Sequence, residues 1–418
     1  MKKTIQQIAL LITFSILNIN AQQDRNVVWV HGLDKGAEVW EKYANYFENE
    51  RKIKSHRKTY NTNIGINFAT KELMNHVSDS LGSPVNNSQN IGIGHSMGGL
   101  MLRNLDRVLY GSNKNFGGII TVATPNQGAD ISNSIKNGSV TKVMQNGVSE
   151  LRRGSANEGI PYIPNNLSNV FLYNSAIQAG IKSPITTDDL RPNSKIMQQI
   201  NKRPNEVPII TITAEESSPV HWRFLGTALT KDDTSLLNTA KFVRGSYNGF
   251  TTYNLAMAAI YTIIGCWQPW AFFAAAVHGY RAYKWNRGTN WIDKSETIWK
   301  ELIKSTFKKR IYYTTTIPEV KCGWWAKWHG CKPQSAGTVT KSYLVTVNKK
   351  SDGLLSEDTQ KLKNNLPGNE YRVLNANHLA VSNMKKTDYT STTFDVFETI
   401  FNRAPGDFFR TDKRTRNK

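Results

Sequence analysis

The sequence is poor in cysteine and lacks a metal-binding motif. Its 418 residues include three cysteines and no His-Glu-x-x-His pattern. Cys322 and Cys331 are the ends of a short loop, in which His329 is the one other side chain that commonly binds metal. A metal site there would therefore lack further ligands at suitable spacing. A disulfide between these two cysteines is the interpretation that we favour for an exported chain. Cys266 lies in an apolar stretch and is expected to be buried.

Acidic residues are also scarce. The chain has 32 aspartates and glutamates against 53 lysines and arginines, which gives a formal net charge of +21. Such a surface attracts anionic lipid headgroups or polyanions. The basic residues are scattered and no nucleic-acid-binding motif accompanies them, so no nucleic-acid partner is expected. With 39% hydrophobic and 10% aromatic residues, the chain can form a large buried core in one enlarged domain or two smaller ones.

Residues 1–21 have the pattern of a secretory signal peptide. Two lysines precede an apolar run from Ile8 to Ile19, and Ala21 offers a small residue at a cleavage point. Ile19 is not the small residue expected two positions before Ala21, and an uncleaved anchor is the alternative, although the run is short for a membrane span. We therefore expect an exported protein, periplasmic or extracellular. Loss of the two lysines would leave a net charge of +19.

The segment 90–109 has the pattern of a strand, a sharp turn and a helix. A short apolar run enters Gly94-His95-Ser96-Met97-Gly98, and apolar residues then recur at helical spacing. A serine at such a turn raises its hydroxyl above the sheet edge, and the flanking glycines avoid collisions with the neighbouring backbone. The N–H groups at the start of the helix lie where an oxyanion would form. The pattern predicts Ser96 as a nucleophile, and a glycine-rich structural turn is the alternative.

Other apolar runs predict the sheet around this turn. Residues 26–30, 116–123 and 207–213 have the composition of buried strands, and amphipathic helices alternate with them. This alternation predicts an α/β fold with a doubly wound, mostly parallel sheet whose functional residues lie at the carboxyl ends of the strands. The backbone N–H groups of Leu33, in the turn after the first strand, and of Met97 are the predicted oxyanion donors.

Three motifs resemble those of bacterial lipases and esterases of the α/β-hydrolase superfamily. They are His31-Gly32-Leu33, Gly94-His95-Ser96-Met97-Gly98-Gly99 and Ala123-Thr124-Pro125-Asn126-Gln127-Gly128, in this order. The resemblance covers residues 26–128 and resumes at 340–402. It implies an α/β-hydrolase fold, ester substrates with an acyl chain, and a triad in which the acid follows the serine and the histidine comes last.

The acid and the histidine of this triad are expected near the carboxyl end of the chain. Asp352 and His378 lie on two loops that match the carboxyl-terminal pattern of the resemblance. His378 would take the proton from Ser96, and Asp352 would orient the imidazole. Because Asp-Gly is also an ordinary turn dipeptide, Glu215 and Glu216, just beyond a predicted strand, remain the rival acids.

Residues 217–341 form an insertion rich in tryptophan. No charged residue occurs between Arg244 and Arg281, and Leu255–Val277 is nearly all apolar. The length would allow a membrane span, but a single crossing would separate the nucleophile from its acid and histidine. Pro269 instead predicts two short apolar helices folded as a hairpin, a cap that packs over the site or lies in a lipid interface.

The predicted organisation is a core interrupted by this cap. Extended segments at 311–316 and 338–347 are expected to form a β-hairpin that closes the cap. The remaining predicted parts are the two halves of the core at 22–216 and 342–405, a lid region at 129–206 for which ordinary crossover helices are the alternative, and a basic tail at 406–418.

The sequence thus predicts a secreted serine ester hydrolase of lipase type that needs no metal or organic cofactor. A phospholipase, a thioesterase, a polyesterase or a deacylase of lipid anchors would use the same parts. A hypothesis from another class is a catalytically silent hydrolase fold that binds a membrane or a partner through the insertion. The expected partners are a lipid or another apolar ester and a lipid interface.

Overall fold

A computed structural model of the chain describes only part of its length. The expected signal peptide and basic tail, and a large part of the expected lid region, lie outside the described residues. The described residues are 26–81, 90–108, 115–155, 183–202, 207–216, 233–325, 329–330, 332, 335–363, 370–382 and 392–402.

The described residues form a central sheet, flanking helices and a separate two-stranded ribbon. The strands are β1 (Asn26–Val30), β2 (Lys54–Arg57), β3 (Asn90–His95), β4 (Gly118–Val122), β5 (Ile209–Glu215), β6 (Thr306–Ile317), β7 (Gly337–Asn348) and β8 (Glu370–Leu374). The helices are α1 (Glu41–Arg51), α2 (Ile66–Leu81), α3 (Met97–Val108), α4 (Asp130–Lys136), α5 (Ser139–Ser155), α6 (Pro184–Asp189), α7 (Lys195–Lys202), α8 (Asp233–Gly265), α9 (Trp270–Leu302), α10 (Glu357–Gln360) and α11 (Thr392–Phe401).

Six of these strands pair in parallel in the order β2-β1-β3-β4-β5-β8. The inner strands are buried on both faces, because helices cover the sheet on each side. Along β1, Val28 and Val30 pack in the cluster that contains α2 and α3, whereas Val27 and Trp29 pack in the cluster that contains α1 and α11. The predicted parallel, doubly wound sheet is therefore confirmed.

Glycines let β3 and α3 approach each other to backbone contact. A Cβ added at Gly94 would lie 2.5 Å from the backbone of Gly98 and Gly99. A Cβ at Gly98 would lie 2.5 Å from the carbonyl oxygens of Val30 and His31. Real Cβ atoms do not approach backbone atoms this closely, so the turn between strand and helix requires glycine at both positions.

The insertion contains a long helical hairpin. The helices α8 and α9 each have 33 residues and run antiparallel on either side of the turn at 266–269. The expectation of two short helices was wrong, because both helices continue well beyond the apolar stretch. In α9 this continuation packs against α5 and buries Trp285, Trp291 and Trp299. No helix in the described part of the chain combines the length and the apolarity needed to span a bilayer.

The insertion also contains an antiparallel ribbon, formed by β6 and β7, that pairs Thr306 with Asn348 and Ile317 with Gly337. The expected β-hairpin is thus present, but the expected boundary at residue 341 falls inside β7. Cys266 is a free thiol and is exposed, so its expected burial was wrong. Cys331 lies outside the described residues, and its disulfide with Cys322 stays a prediction.

The close approach of α3 to the end of β1 predicts how glycine substitutions will act. Gly98→Ala places a methyl group against two carbonyl oxygens that cannot move without disturbing β1, so we expect a loss of at least about 2 kcal/mol in the free energy of unfolding. Gly249, inside α8, has no atom within 4 Å of an added Cβ. Gly249→Ala should therefore stabilise the protein by about 0.5–1 kcal/mol. Urea unfolding of both variants measures the two effects, and equal values would contradict the prediction.

Candidate active site

Ser96 occupies the turn between β3 and α3 in a strained backbone conformation. Its φ angle is +53°, in the left-handed region that residues with a side chain seldom adopt. The Ser96 N–H donates to the carbonyl oxygen of Val122 at 2.9 Å, and the Ser96 carbonyl oxygen accepts from the Gly99 N–H at 3.1 Å. These hydrogen bonds on both sides of the residue hold its side chain at the carboxyl edge of the sheet.

The side chains of Ser96, His378 and Asp352 form one hydrogen-bonded chain. The Nε2 atom of His378 lies 2.9 Å from Ser96 Oγ, and its Nδ1 atom lies 2.6 Å from Asp352 Oδ2. Both His378 and Asp352 are buried. Because the carboxylate accepts the Nδ1 proton, Nε2 is left to accept a proton from the serine hydroxyl. The structure thus brings together the three side chains that the sequence predicts as a triad.

Backbone groups hold the carboxylate of Asp352. Its Oδ1 atom accepts hydrogen bonds from the N–H groups of Leu354 at 2.9 Å and Leu355 at 2.7 Å. The next residue, Gly353, has a φ of +85°, which glycine adopts without strain. The carbonyl oxygen of Gly353 accepts a hydrogen bond of 2.7 Å from the indole N–H of Trp299. A residue of the insertion therefore fixes the acid loop.

Neither rival acid has its carboxylate on the imidazole of His378, whose Nδ1 atom pairs with Asp352. The carboxylate of Glu215 lies 2.9 Å from the Lys350 ammonium and 3.7 Å from the Arg372 guanidinium. Glu216 is half-buried, and its N–H donates to the Ser351 carbonyl oxygen. Asp352, rather than either glutamate, is the acid whose carboxylate bonds to the imidazole of the site.

His95 holds the loop that carries His378. Its Nε2 atom lies 2.7 Å from the carbonyl oxygen of His378, and since a carbonyl can only accept, Nε2 carries the proton. Burial, aided by the neighbouring His378, lowers the pKa of His95 to about 3, so the ring is neutral near pH 7. The sequence predicted His95 only as part of the turn. Its position beside the nucleophile was the one available signal.

The predicted oxyanion donors flank the serine. Leu33 follows β1, and Met97 is the first residue of α3. Within the described residues, neither backbone N–H has a hydrogen-bond acceptor. The turn that carries Leu33 lies against the nucleophile, because a Cβ at Gly32 would be 2.9 Å from the Cβ of Ser96. Two N–H groups on different elements thus lie beside the hydroxyl without an acceptor among the described residues.

His31 has a structural position. Its ring stacks on Tyr60 with centroids 3.9 Å apart, and its Nε2 atom accepts from the Tyr60 N–H at 3.3 Å. The Nδ1 atom is 3.0 Å from the Gly32 carbonyl oxygen. Burial lowers the pKa of His31. Both ring nitrogens thus bond to backbone groups and not to the serine.

In the described ranges, no three histidine, cysteine, aspartate or glutamate side chains are grouped so that they could hold a metal ion. The hydrogen-bonded chain can instead perform proton transfer coupled to nucleophilic attack. A neutral imidazole oriented by a carboxylate raises the reactivity of a serine hydroxyl, and the two N–H groups can stabilise the negative charge that the attack produces.

Comparisons with known proteins point to the same chemistry. Residues 20–148, less than half of the chain, match the sequence profile of the family described as "Putative serine esterase (DUF676)". This match includes the serine turn and both predicted oxyanion residues, and it supports a serine ester hydrolase. No curated protein sequence matches the chain.

Among solved structures, phospholipase PlaB from Legionella pneumophila is 16% identical with a TM-score of 0.32, over 46% of this chain and 39% of that one. This chain therefore spans well under two thirds of the length of that phospholipase. An extracellular α/β-hydrolase from a Paenibacillus species is 17% identical with a TM-score of 0.28, over 45% and 76% of the two chains. The α/β hydrolase GrgF from Penicillium sp. sh18 is 14% identical with a TM-score of 0.28, over 46% and 71%. Similarities this low say nothing about substrate.

The contact between His95 and His378 predicts different effects for two substitutions. His95→Gln places an amide donor near the position of Nε2, so the turnover of a soluble ester should stay within about threefold of the unsubstituted protein. His95→Ala leaves the buried carbonyl of His378 without a donor and frees its loop, so kcat should fall by about tenfold or more while KM changes little. Steady-state kinetics on both variants measure this difference. Equal losses in the two variants would show that the donor does not position His378.

Proposed function

Since this chain has the α/β-hydrolase fold, we propose that it is a secreted serine carboxylic-ester hydrolase that cleaves acyl esters of lipids. The observation that carries the proposal is the buried hydrogen-bonded chain from Ser96 Oγ through His378 to Asp352. Burial and two backbone donors fix the carboxylate, so the imidazole is preoriented before any substrate arrives. The family match over residues 20–148 gives independent support for a serine nucleophile.

The mechanism begins with proton transfer from the serine hydroxyl. Nε2 of His378 accepts the proton of Ser96 as Oγ attacks the ester carbonyl carbon, and Asp352 stabilises the imidazolium. The N–H groups of Leu33 and Met97 donate to the oxyanion of the tetrahedral intermediate. The imidazolium then protonates the departing alcohol oxygen, and an acyl-enzyme remains. Water then attacks the acyl-enzyme carbonyl while Nε2 of His378 accepts its proton. The imidazolium returns this proton to Ser96 Oγ, which releases the carboxylic acid and restores the serine.

Two features support a lipid ester as the substrate. The insertion exposes large apolar side chains such as Trp267 and Phe273. The net charge of +21, or +19 without the two lysines of the expected signal peptide, favours anionic lipid surfaces. A phospholipase, a thioesterase or a deacylase of lipid anchors would use the same triad. A catalytically silent protein that only binds lipid would not need Ser96 in a strained backbone conformation, nor the His378 imidazole within hydrogen-bond distance of its hydroxyl.

The triad hypothesis predicts a graded set of losses. Ser96→Ala and His378→Ala should each lower kcat by about a millionfold and abolish labelling by a fluorophosphonate probe. Asp352→Asn should lower kcat by roughly ten thousandfold, because the amide favours the wrong imidazole tautomer. The matched control is Glu215→Gln, which removes the rival carboxylate and should leave kcat within about threefold. Labelling followed by peptide mass spectrometry locates the adduct. An adduct elsewhere, or full activity in Ser96→Ala, would refute the proposed nucleophile.

The lipid preference makes a separate prediction about substrates. For p-nitrophenyl esters, kcat/KM should rise by about tenfold or more from acetyl to octanoyl chains, since each buried methylene adds transition-state binding. Rates on emulsified triacylglycerol, phospholipid vesicles and acyl thioesters distinguish the lipase from the phospholipase and thioesterase alternatives. Equal rates on short soluble esters and on emulsions would contradict the preference for lipid.

A further inference from the structure

The helical hairpin of α8 and α9 has two parts with opposite surroundings. We call residues 281–302 the base and residues 251–280 the tip. The base buries Trp285, Trp291 and Trp299 against the protein core. No residue of the tip belongs to either hydrophobic core cluster of the described residues. The tip is therefore an apolar structure that the rest of the described protein does not cover.

Large apolar side chains point to solvent from several sides of the tip. Trp267 is 85% exposed and Phe273 is 77% exposed. Exposed apolar surface of this extent marks an interaction site in a soluble protein. The other large exposed residues of the tip are Tyr253, Leu255, Ile260, Ile263, Trp270, Phe272 and Tyr280.

Several polar side chains of the tip are hydrogen-bonded within the hairpin, although Gln268, at its turn, is exposed. The hydroxyls of Thr251, Thr252 and Thr262 each donate to the carbonyl oxygen four residues earlier, at 2.8 to 3.0 Å. The imidazole Nδ1 of His278 and the side-chain oxygen of Asn254 are 2.8 Å apart and link the two helices. A protein partner can offer hydrogen bonds to polar side chains, whereas the hydrocarbon core of a bilayer offers none. Internal pairing is therefore the arrangement that a lipid environment requires.

Basic and tyrosine side chains mark the boundary between tip and base. Along α9, the Lys284 ammonium lies 4.4 Å from the centre of the Tyr280 ring. The Arg287 guanidinium lies 5.8 Å from that of Tyr283 and also pairs with the carboxylate of Glu150 on α5. Arg281 lies in the same segment. We call residues 280–287 the collar. Tyrosine together with lysine and arginine is typical of the headgroup level of a membrane, where anionic lipids attract the cations.

The length of the tip matches half of a bilayer. The most apolar part of the tip, from Leu255 to Gly265 and from Trp270 to Tyr280, rises by about 15 Å in each arm at 1.5 Å per residue. The hydrocarbon core of a bilayer is about 30 Å thick, so one leaflet is about as deep as an arm is long. The two arms are antiparallel, and the chain therefore returns to the side from which it entered.

We infer that the tip inserts into one leaflet of an anionic lipid bilayer and that the collar lies among the headgroups. The absence of charge from 245 to 280, the internally paired polar groups and the basic collar all favour lipid over a second copy of the chain or another protein. This inference goes beyond the proposed ester hydrolysis, because it depends on the tip and the collar and not on the triad.

The exposed free thiol of Cys266, at the turn of the tip, allows a direct test. The full chain is labelled there with an environment-sensitive nitrobenzoxadiazole dye, and peptide mass spectrometry verifies the labelled residue. Phosphatidylcholine vesicles that contain phosphatidylglycerol should shift the emission to shorter wavelength and increase its intensity. Lipids with a quencher deep in the acyl chain should quench the dye more than lipids with a quencher at the headgroup.

Substitutions in the tip should weaken the binding without disturbing the catalytic chemistry. Trp267→Ser combined with Phe273→Ser should reduce vesicle partitioning by at least about tenfold. The matched control is Phe68→Ser, which removes an aromatic side chain that is 60% exposed on α2 of the core. The tip substitutions should leave the rate of hydrolysis of a short soluble ester unchanged. The unchanged rate also shows that the variant is folded.

Substitutions in the collar separate charge from insertion. Arg281→Gln with Lys284→Gln should lower the affinity for phosphatidylglycerol vesicles by about tenfold at low salt and leave binding to pure phosphatidylcholine unchanged. Lys195→Gln with Lys202→Gln removes the same charge from the exposed face of α7 and is the control. Equal losses in both pairs would mean that net charge, and not the collar, determines the affinity.

Several outcomes would overturn the inference. A dye emission that no vesicle changes would exclude insertion, and vesicle binding that survives the tip substitutions would assign the contact to another surface. Concentration-dependent dimerisation in sedimentation, abolished by the same substitutions, would identify a second copy as the occupant. The hydrolase proposal fails separately: Ser96→Ala should bind vesicles normally, and insertion without any ester hydrolysis would refute only the proposed activity.

Discussion

The backbone contact between β3 and α3 is the constraint on which the candidate site depends. Gly94 and Gly98 leave no room for side chains, so the chain must turn from strand to helix within a single residue. That residue is Ser96, whose φ of +53° is the strained result. The same turn places the first N–H of α3 beside the hydroxyl. Nucleophile position and oxyanion donor are therefore two consequences of one packing contact.

Local patterns in the sequence were sufficient to predict this part of the molecule. Strands buried on both faces produce continuous apolar runs, and the glycine spacing around Ser96 identifies the turn. The choice between the candidate acids could not be made in this way. It depends on Lys350 and Arg372, which pair with Glu215 across residues distant in sequence. The position of His95 under the His378 loop is likewise a contact between distant segments.

The insertion shows where composition misleads. An apolar run is expected to be buried, and on this ground Cys266 was expected to be inside the protein, yet the structure exposes it. The same composition identified the apolar tip but not the full length of the helices. The base mixes charged residues with tryptophans such as Trp285 and Trp299, and its pattern becomes clear only when α5 is packed against it. Helix length here is set by tertiary packing and not by the apolar run.

The insertion and the candidate site are joined at the acid loop. The strand β7 ends at Asn348, a few residues before Asp352, and Trp299 of the base donates to the carbonyl of Gly353. The base is packed against the core, so the direction of the hairpin is fixed relative to the triad. A tip held in one leaflet would therefore keep Ser96 at a constant height above the headgroups. Ester bonds near the lipid surface would then lie at the height of Ser96, and the bound protein could cleave one after another without dissociating. The membrane itself would thus help to position the substrate.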